Sequence, residues 1–183
     1  MEIRSTLISG PTQEPLTLAQ VKLDREVSHD LHDQLFTNYI QAAREMCENR
    51  TGRALLPQIW QQLCVNADSE IPLERWPAAE ILGININGET IDHSALIAEG
   101  VIFFGKGDAP VLESSLFRGA RVVIQYSAGY ADPSAVPAAM KKWMLLHIGS
   151  MYEYRESEQI GTVVQRLRFP DGLIGPYIIR RFW

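Results

Sequence analysis

Apolar residues recur at helical steps near both ends of the chain, and the middle switches to short β-like runs. After Pro137, Met140, Trp143, Met144, His147, Ile148 and Met151 repeat every three or four residues, which is one face of a helix. Leu145, Leu146 and Tyr152 widen that face, and Lys142, Gly149, Glu153 and Glu156 leave a narrow polar strip. The pattern predicts a helix over about 137–156, opened by a proline at the turn that tolerates one. A helix so apolar belongs in a core or between subunits. Upstream, Leu35, Phe36, Tyr39, Ile40, Ala43, Met46 and Cys47 predict a second helix over about 31–50. Asp30 and Asp33 suit its positive end, and Gly52 offers a left-handed stop. Thr17 and Gln20 have capping-box spacing, predicting a short helix over 18–23. Residues 1–16 read as an extended lead-in, with Pro11 and Pro15 set against helix.

Between 54 and 126 the helical period fades. Residues 59–65, 81–86, 101–104 and 121–126 read as strands, and Asn87-Gly88 marks a hairpin turn. Residues 105–108 read as a turn. Downstream of the long helix, Arg166 and Arg168 alternate with Val164, Leu167 and Phe169 until Pro170 breaks the run. Asp171 then suits a short final helix interrupted by Gly175-Pro176. The fold class these patterns predict is α+β: a helical bundle with an inserted small antiparallel β-sheet region. It is expected as a single domain, helical over about 17–52 and 137–183 and β-rich over about 54–128.

At 183 residues, 46% hydrophobic and 21% charged, the chain has the composition of a folded globular protein. Its net charge of -5 argues against coating nucleic acid by bulk attraction, although a weakly repelling wall suits a channel through which DNA slides. The stretch MEIRSTLISGPTQEP lacks the basic start and apolar run of a secretory signal, and no apolar run approaches membrane-spanning length. Cys47 and Cys64 are expected as buried, reduced thiols.

Candidate chemistry is sparse. His29, Asp30, His32 and Asp33 cluster before the second helix, but zinc needs three or four ligands and no further Cys/His pair completes a set. A polar helix start is the simpler reading. His147, amid Met and Leu, reads as a hydrogen-bonded packing residue rather than a base. Gly105-Lys106-Gly107 lacks the pattern of a phosphate loop, and there is no G-x-S-x-G, H-E-x-x-H or C-x-x-C. No catalytic residue, cofactor or metal is therefore expected. The basic, aromatic end of the chain (Arg166, Arg168, Arg180, Arg181, Phe182 and Trp183) reads as a partner-docking segment, because Arg and aromatics dominate interface hot spots.

The order of these parts resembles the head–tail connector, or adaptor, family of tailed bacteriophages and prophages. The resemblance is carried by LTLAQVKLD (16–24), AAREMCENRTGRALLPQIW (42–60), VVIQYSAGYAD (122–132) with VPAAMKKWMLLHIGSMYEYRE behind it, and the closing FPDGLIGPYIIRRF (169–182). It runs along most of the chain. One departure is Leu23-Asp24-Arg25-Glu26-Val27, where the family often has a Leu-Arg-Val-like step. The resemblance implies a non-enzymatic assembly protein of the virion head–tail junction, made in the host cytoplasm. It implies docking on the portal protein, a dodecameric ring of copies that extends the DNA channel without sequence-specific binding, and a stopper or tail-completion protein below. No membrane is involved. Tyr39, Met46, Trp143, Met144, Ile148 and Tyr152 are the residues expected in core or subunit packing. The rival readings are another virion component, such as a stopper or tail-completion protein, and a small enzyme with sparse motifs. Order of addition to portal separates the first, and metal analysis with a hydrolase screen exposes the second.

Overall fold

A computed structural model describes residues 1–105, 110–153 and 169–179. In chain order the elements are β1 (Glu2–Ser9), α1 (Leu18–Asp24), α2 (Asp33–Thr51), β2 (Gln58–Val65), β3 (Glu70–Pro72), β4 (Ala78–Ile86), β5 (Glu89–Ile91), α3 (His93–Ala98), β6 (Phe103–Gly105), β7 (Val111–Glu113), β8 (Val122–Ala128), α4 (Ala138–Glu153) and α5 (Phe169–Ile174), with 3-10 turns at Ser115–Phe117 and Gly175–Tyr177. They fall into two compact units, Met1–Thr12 with Leu56–Ala131, and Gln13–Leu55 with Asp132–Trp183.

The first unit is built on sheets. Five strands lie in the order β1-β2-β8-β4-β5, and three shorter ones in the order β3-β7-β6, every pair antiparallel. Strand β8 is central because VVIQYSA is β-branched and alternates cleanly: Val122, Ile124, Tyr126 and Ala128 are buried while Val123, Gln125 and Ser127 are half-buried. On β2 the buried face carries Gln58, Trp60, Gln62 and Cys64, leaving Ile59 and Leu63 half-buried. Gln62 is fully buried yet satisfied. Its amide donates to the Pro72 carbonyl at 2.8 Å, and its oxygen accepts from the Glu74 N–H at 2.9 Å. Gly129 ends β8 with φ +130°, and a Cβ there would strike the Leu56 carbonyl, so only glycine fits.

The second unit is helical. Thr17 and Gln20 close a reciprocal cap on α1, with Thr17 Oγ1 accepting at 3.2 Å and Gln20 Oε1 accepting at 2.9 Å. Gly52 ends α2 in the left-handed region at φ 75°. The buried side chains of α2 and α4 are Phe36, Ile40, Ala43 and Cys47 on the one and Met140, Trp143, Met144 and Ile148 on the other.

The expected helical bundle with a small inserted sheet is not the fold. Among the described residues there are eight strands in two antiparallel sheets beside five α-helices, so the architecture is mixed and strand-rich. Two physical reasons explain the difference. The strands β3, β5, β6 and β7 are three residues each, too short to show a period, and β3 pairs with β7 across about forty residues of chain. The lead-in also does more than stay extended: residues 2–9 pair along β2 as an edge strand, from Glu2↔Val65 to Ser9↔Ile59. The run 163–168 and part of the turn 105–108 lie outside the described residues.

Candidate functional site

The residues expected to pack divide by exposure. Trp143, Met144 and Ile148 are buried. Trp143 stacks on His147 with ring centroids 3.7 Å apart, and His147 Nδ1–H donates to the Trp143 carbonyl at 2.9 Å. Tyr39 and Tyr152 are half-buried, while Met46 is 44% exposed. The apolar face of α4 is narrower in this chain than its sequence implies, with Leu145, Leu146 and Met151 only half-covered. The Tyr152 hydroxyl lies 2.8 Å from His32 Nδ1, and its ring centroid is 4.8 Å from that of Phe36. His32 thus serves packing at the start of α2, beside His29 at 4.9 Å.

The connection from α1 to α2 makes a rigid corner. Helix α1 ends in a Schellman arrangement: the Val27 N–H bonds to the Lys22 carbonyl at 3.0 Å, and the Glu26 N–H bonds to the Leu23 carbonyl at 3.3 Å. Glu26 holds the left-handed position of that motif, at φ 56°, where glycine is the usual occupant. The Lys22 ammonium then bridges Asp30 at 2.6 Å and Asp33 at 2.8 Å, and hydrogen bonds to both raise its pKa above the ordinary value. This staple presents two bare leucines, Leu23 at 81% and Leu31 at 87% exposure. On the other side of the corner Asp24 is paired with Arg25 at 2.6 Å and Lys142 at 3.1 Å. Burial works to raise Asp24, but hydrogen bonds from Lys142 and Arg25 outweigh it and hold the carboxyl below its ordinary value. Gly149 on α4 makes room for the Arg25 guanidinium, which a Cβ at that position would strike.

The opposite end of α2 anchors the chain's last described residues. The Ile179 N–H bonds to the Thr51 carbonyl at 2.9 Å, and Arg53 Nε–H donates to the Tyr177 carbonyl at 2.9 Å. Arg50 pairs with Asp171 at 2.9 Å. Along α2, Arg44 is nearly buried between Glu14 at 2.9 Å and Glu48 at 3.0 Å, and Glu48 also accepts from the Leu55 N–H at 2.8 Å. The expected docking residues Arg166, Arg168, Arg180, Arg181, Phe182 and Trp183 lie outside the described residues.

Among the described residues no group of three His, Cys, Asp or Glu is placed to hold a metal ion. Cys47 and Cys64 are free and buried, and burial, with a smaller contribution from Glu48, pushes the Cys47 thiol up to about 12. No described helix is long and apolar enough to cross a membrane. Leu23 and Leu31 were not singled out by periodicity, yet an isolated leucine inside the polar run SHDLHD was a signal that one apolar side chain there faces water.

No family model matches the chain, and no curated protein matches it significantly. Solved structures do match, end to end. A chain from the neck of an empty gene transfer agent (GTA) particle computed with C6 symmetry is 18% identical, covers 100% of this chain and 98% of its own, and superposes with a TM-score of 0.76. A chain from the virion of the native GTA particle is 17% identical over 98% of this chain and 97% of its own, with a TM-score of 0.77. A third, from the neck of the native GTA particle computed with C12 symmetry, is 18% identical over 100% and 98%, with a TM-score of 0.71. The chain therefore has the fold of chains from the neck and virion of a phage-like particle.

Proposed function

We propose that this protein is a head–tail connector of a tailed phage, prophage or related particle. Copies close into a ring at the head–tail junction, dock on the portal, extend the DNA channel and receive a stopper or tail-completion protein below. The work is assembly, and no covalent bond is made or broken. The observation that carries this reading is the full-length likeness to neck chains, one of them in a neck computed with C12 symmetry. A ring needs two different complementary patches per subunit. Helices α2 and α4 are assigned to ring contacts on their uncovered sides, where Met46 and Tyr39 sit on α2 and Leu145 and Met151 on α4. The basic, aromatic end of the chain is assigned to the portal or a neighbouring copy.

The test is native mass spectrometry of the purified protein alone and after mixing with portal, followed by negative-stain imaging. The expected result is twelvefold rings, formed on portal or by the protein alone at high concentration. A protein that stays monomeric and ignores portal at every concentration sinks the reading. A protein that joins only after another neck component has bound the portal is a stopper or tail-completion protein instead.

A further inference from the structure

We propose that residues 180–183 of one copy dock on the Leu23/Leu31 corner of the next copy in the ring. This rests on the ring reading above and adds the contact that closes it.

Three observations converge. The first is the corner itself. Leu23 follows Lys22 and Leu31 follows Asp30, so the two leucines are chain neighbours of the two ends of the 2.6 Å Lys22–Asp30 bridge. Both are more than four-fifths exposed, an unusual state for two leucines on a stapled surface. The second is charge. Glu26 and Asp30 are exposed at this corner, and the carboxylates of Asp30 and Asp33 outnumber the single ammonium, Lys22, that they share. Residues 180–183 read Arg-Arg-Phe-Trp, two cations followed by two large aromatics. An acidic rim around bare leucines and a basic, aromatic segment are complementary in both charge and hydrophobicity.

The third is reach. Ile179 is tied to Thr51 at the C-terminal end of α2, whereas Leu31 lies just before its N-terminal end. The 19 residues of α2 span about 28 Å at 1.5 Å per residue. Residues 180–183 extend at most about 14 Å from Ile179. They cannot arrive at their own corner. They can arrive at that of a neighbour, and a contact from one end of a subunit to a different patch on the next is the head-to-tail kind that builds rings.

The experiment uses the full chain. Leu31→Cys and Phe182→Cys are made as separate proteins, one with a size tag, and mixed with portal under mild oxidation. The native thiols are fully buried, so the introduced ones are the reactive pair. The expected result is ring assembly together with a disulfide-linked heterodimer. In parallel, Leu23→Asp/Leu31→Asp, which changes only exposed side chains, is expected to raise the concentration needed for assembly about tenfold with an unchanged circular dichroism spectrum. Rings that form without the heterodimer, or assembly untouched by the double substitution, overturn the docking and leave the ring standing. Capture of the Phe182→Cys protein by portal cysteines in place of the heterodimer overturns it in favour of portal docking. Absence of any assembly by the unmodified protein overturns both.

Discussion

The two units bury polar groups in opposite ways. In the sheet unit the polar group at the centre is neutral: Gln62, fully enclosed, ties the β2 face to the Pro72–Glu74 backbone as a substitute strand partner. In the helical unit the buried polar group is ionic: Arg44 between Glu14 and Glu48. A neutral amide is indifferent to pH and salt, whereas charges out of water are held only by their partners. The difference teaches where this protein is vulnerable. Acid and single-charge substitutions should strike the helices, and geometry-changing substitutions should strike the sheets.

The largest effect is expected from Arg44→Ala, which removes the buried cation between Glu14 and Glu48. Destabilisation of about 3–5 kcal/mol should appear in urea unfolding followed by circular dichroism. A loss below about 1 kcal/mol would erase the contrast. Gln62→Ala should cost about 1–3 kcal/mol for the orphaned carbonyl and N–H, and that loss should be the same at low and high salt. Next comes pH. The Asp24 carboxyl is depressed in the folded state, so its contribution is complete above the ordinary carboxylate value and disappears as pH falls through the folded one. Thermal melts between about pH 5 and pH 2 should therefore steepen for the native chain and flatten for Asp24→Asn. The smallest effect has the opposite sign. Glu26→Gly relieves a left-handed position and should stabilise by about 0.5–1 kcal/mol, while weakening assembly if the corner is a docking site. Stability gained without assembly lost would point to a purely local role for Glu26.

Much of the helical unit was legible from spacing. The capping pair Thr17/Gln20, the left-handed stop at Gly52 and the face of α4 follow from local rules that act within four or five residues. The sheet unit was legible only in its long strands. In β2 the buried face is Gln58, Trp60, Gln62 and Cys64, and IWQQLCV offers no alternation to announce it. Gln62 is inside because a loop ten residues on needs its amide, a tertiary demand with no local trace. The same holds for β1, whose EIRSTLIS is exposed over most of its length and is a strand because β2 offers it an edge. The candidate docking corner was hidden for a related reason. Helical periodicity locates what is covered, and Leu23 and Leu31 matter for being uncovered.

The chain visits the sheet unit first, leaves at Thr12, returns at Leu56 and departs again at Ala131. Neither unit is one continuous length of polypeptide. A single protease nick at any of the three crossings therefore leaves both halves covalently joined. Shortening the gene from the front takes β1 from the sheet unit, and shortening it from the back takes α4 from the helical unit, so neither cut leaves one unit whole and alone. Anyone wishing to study one half by itself would need a permuted or spliced gene rather than a truncated one.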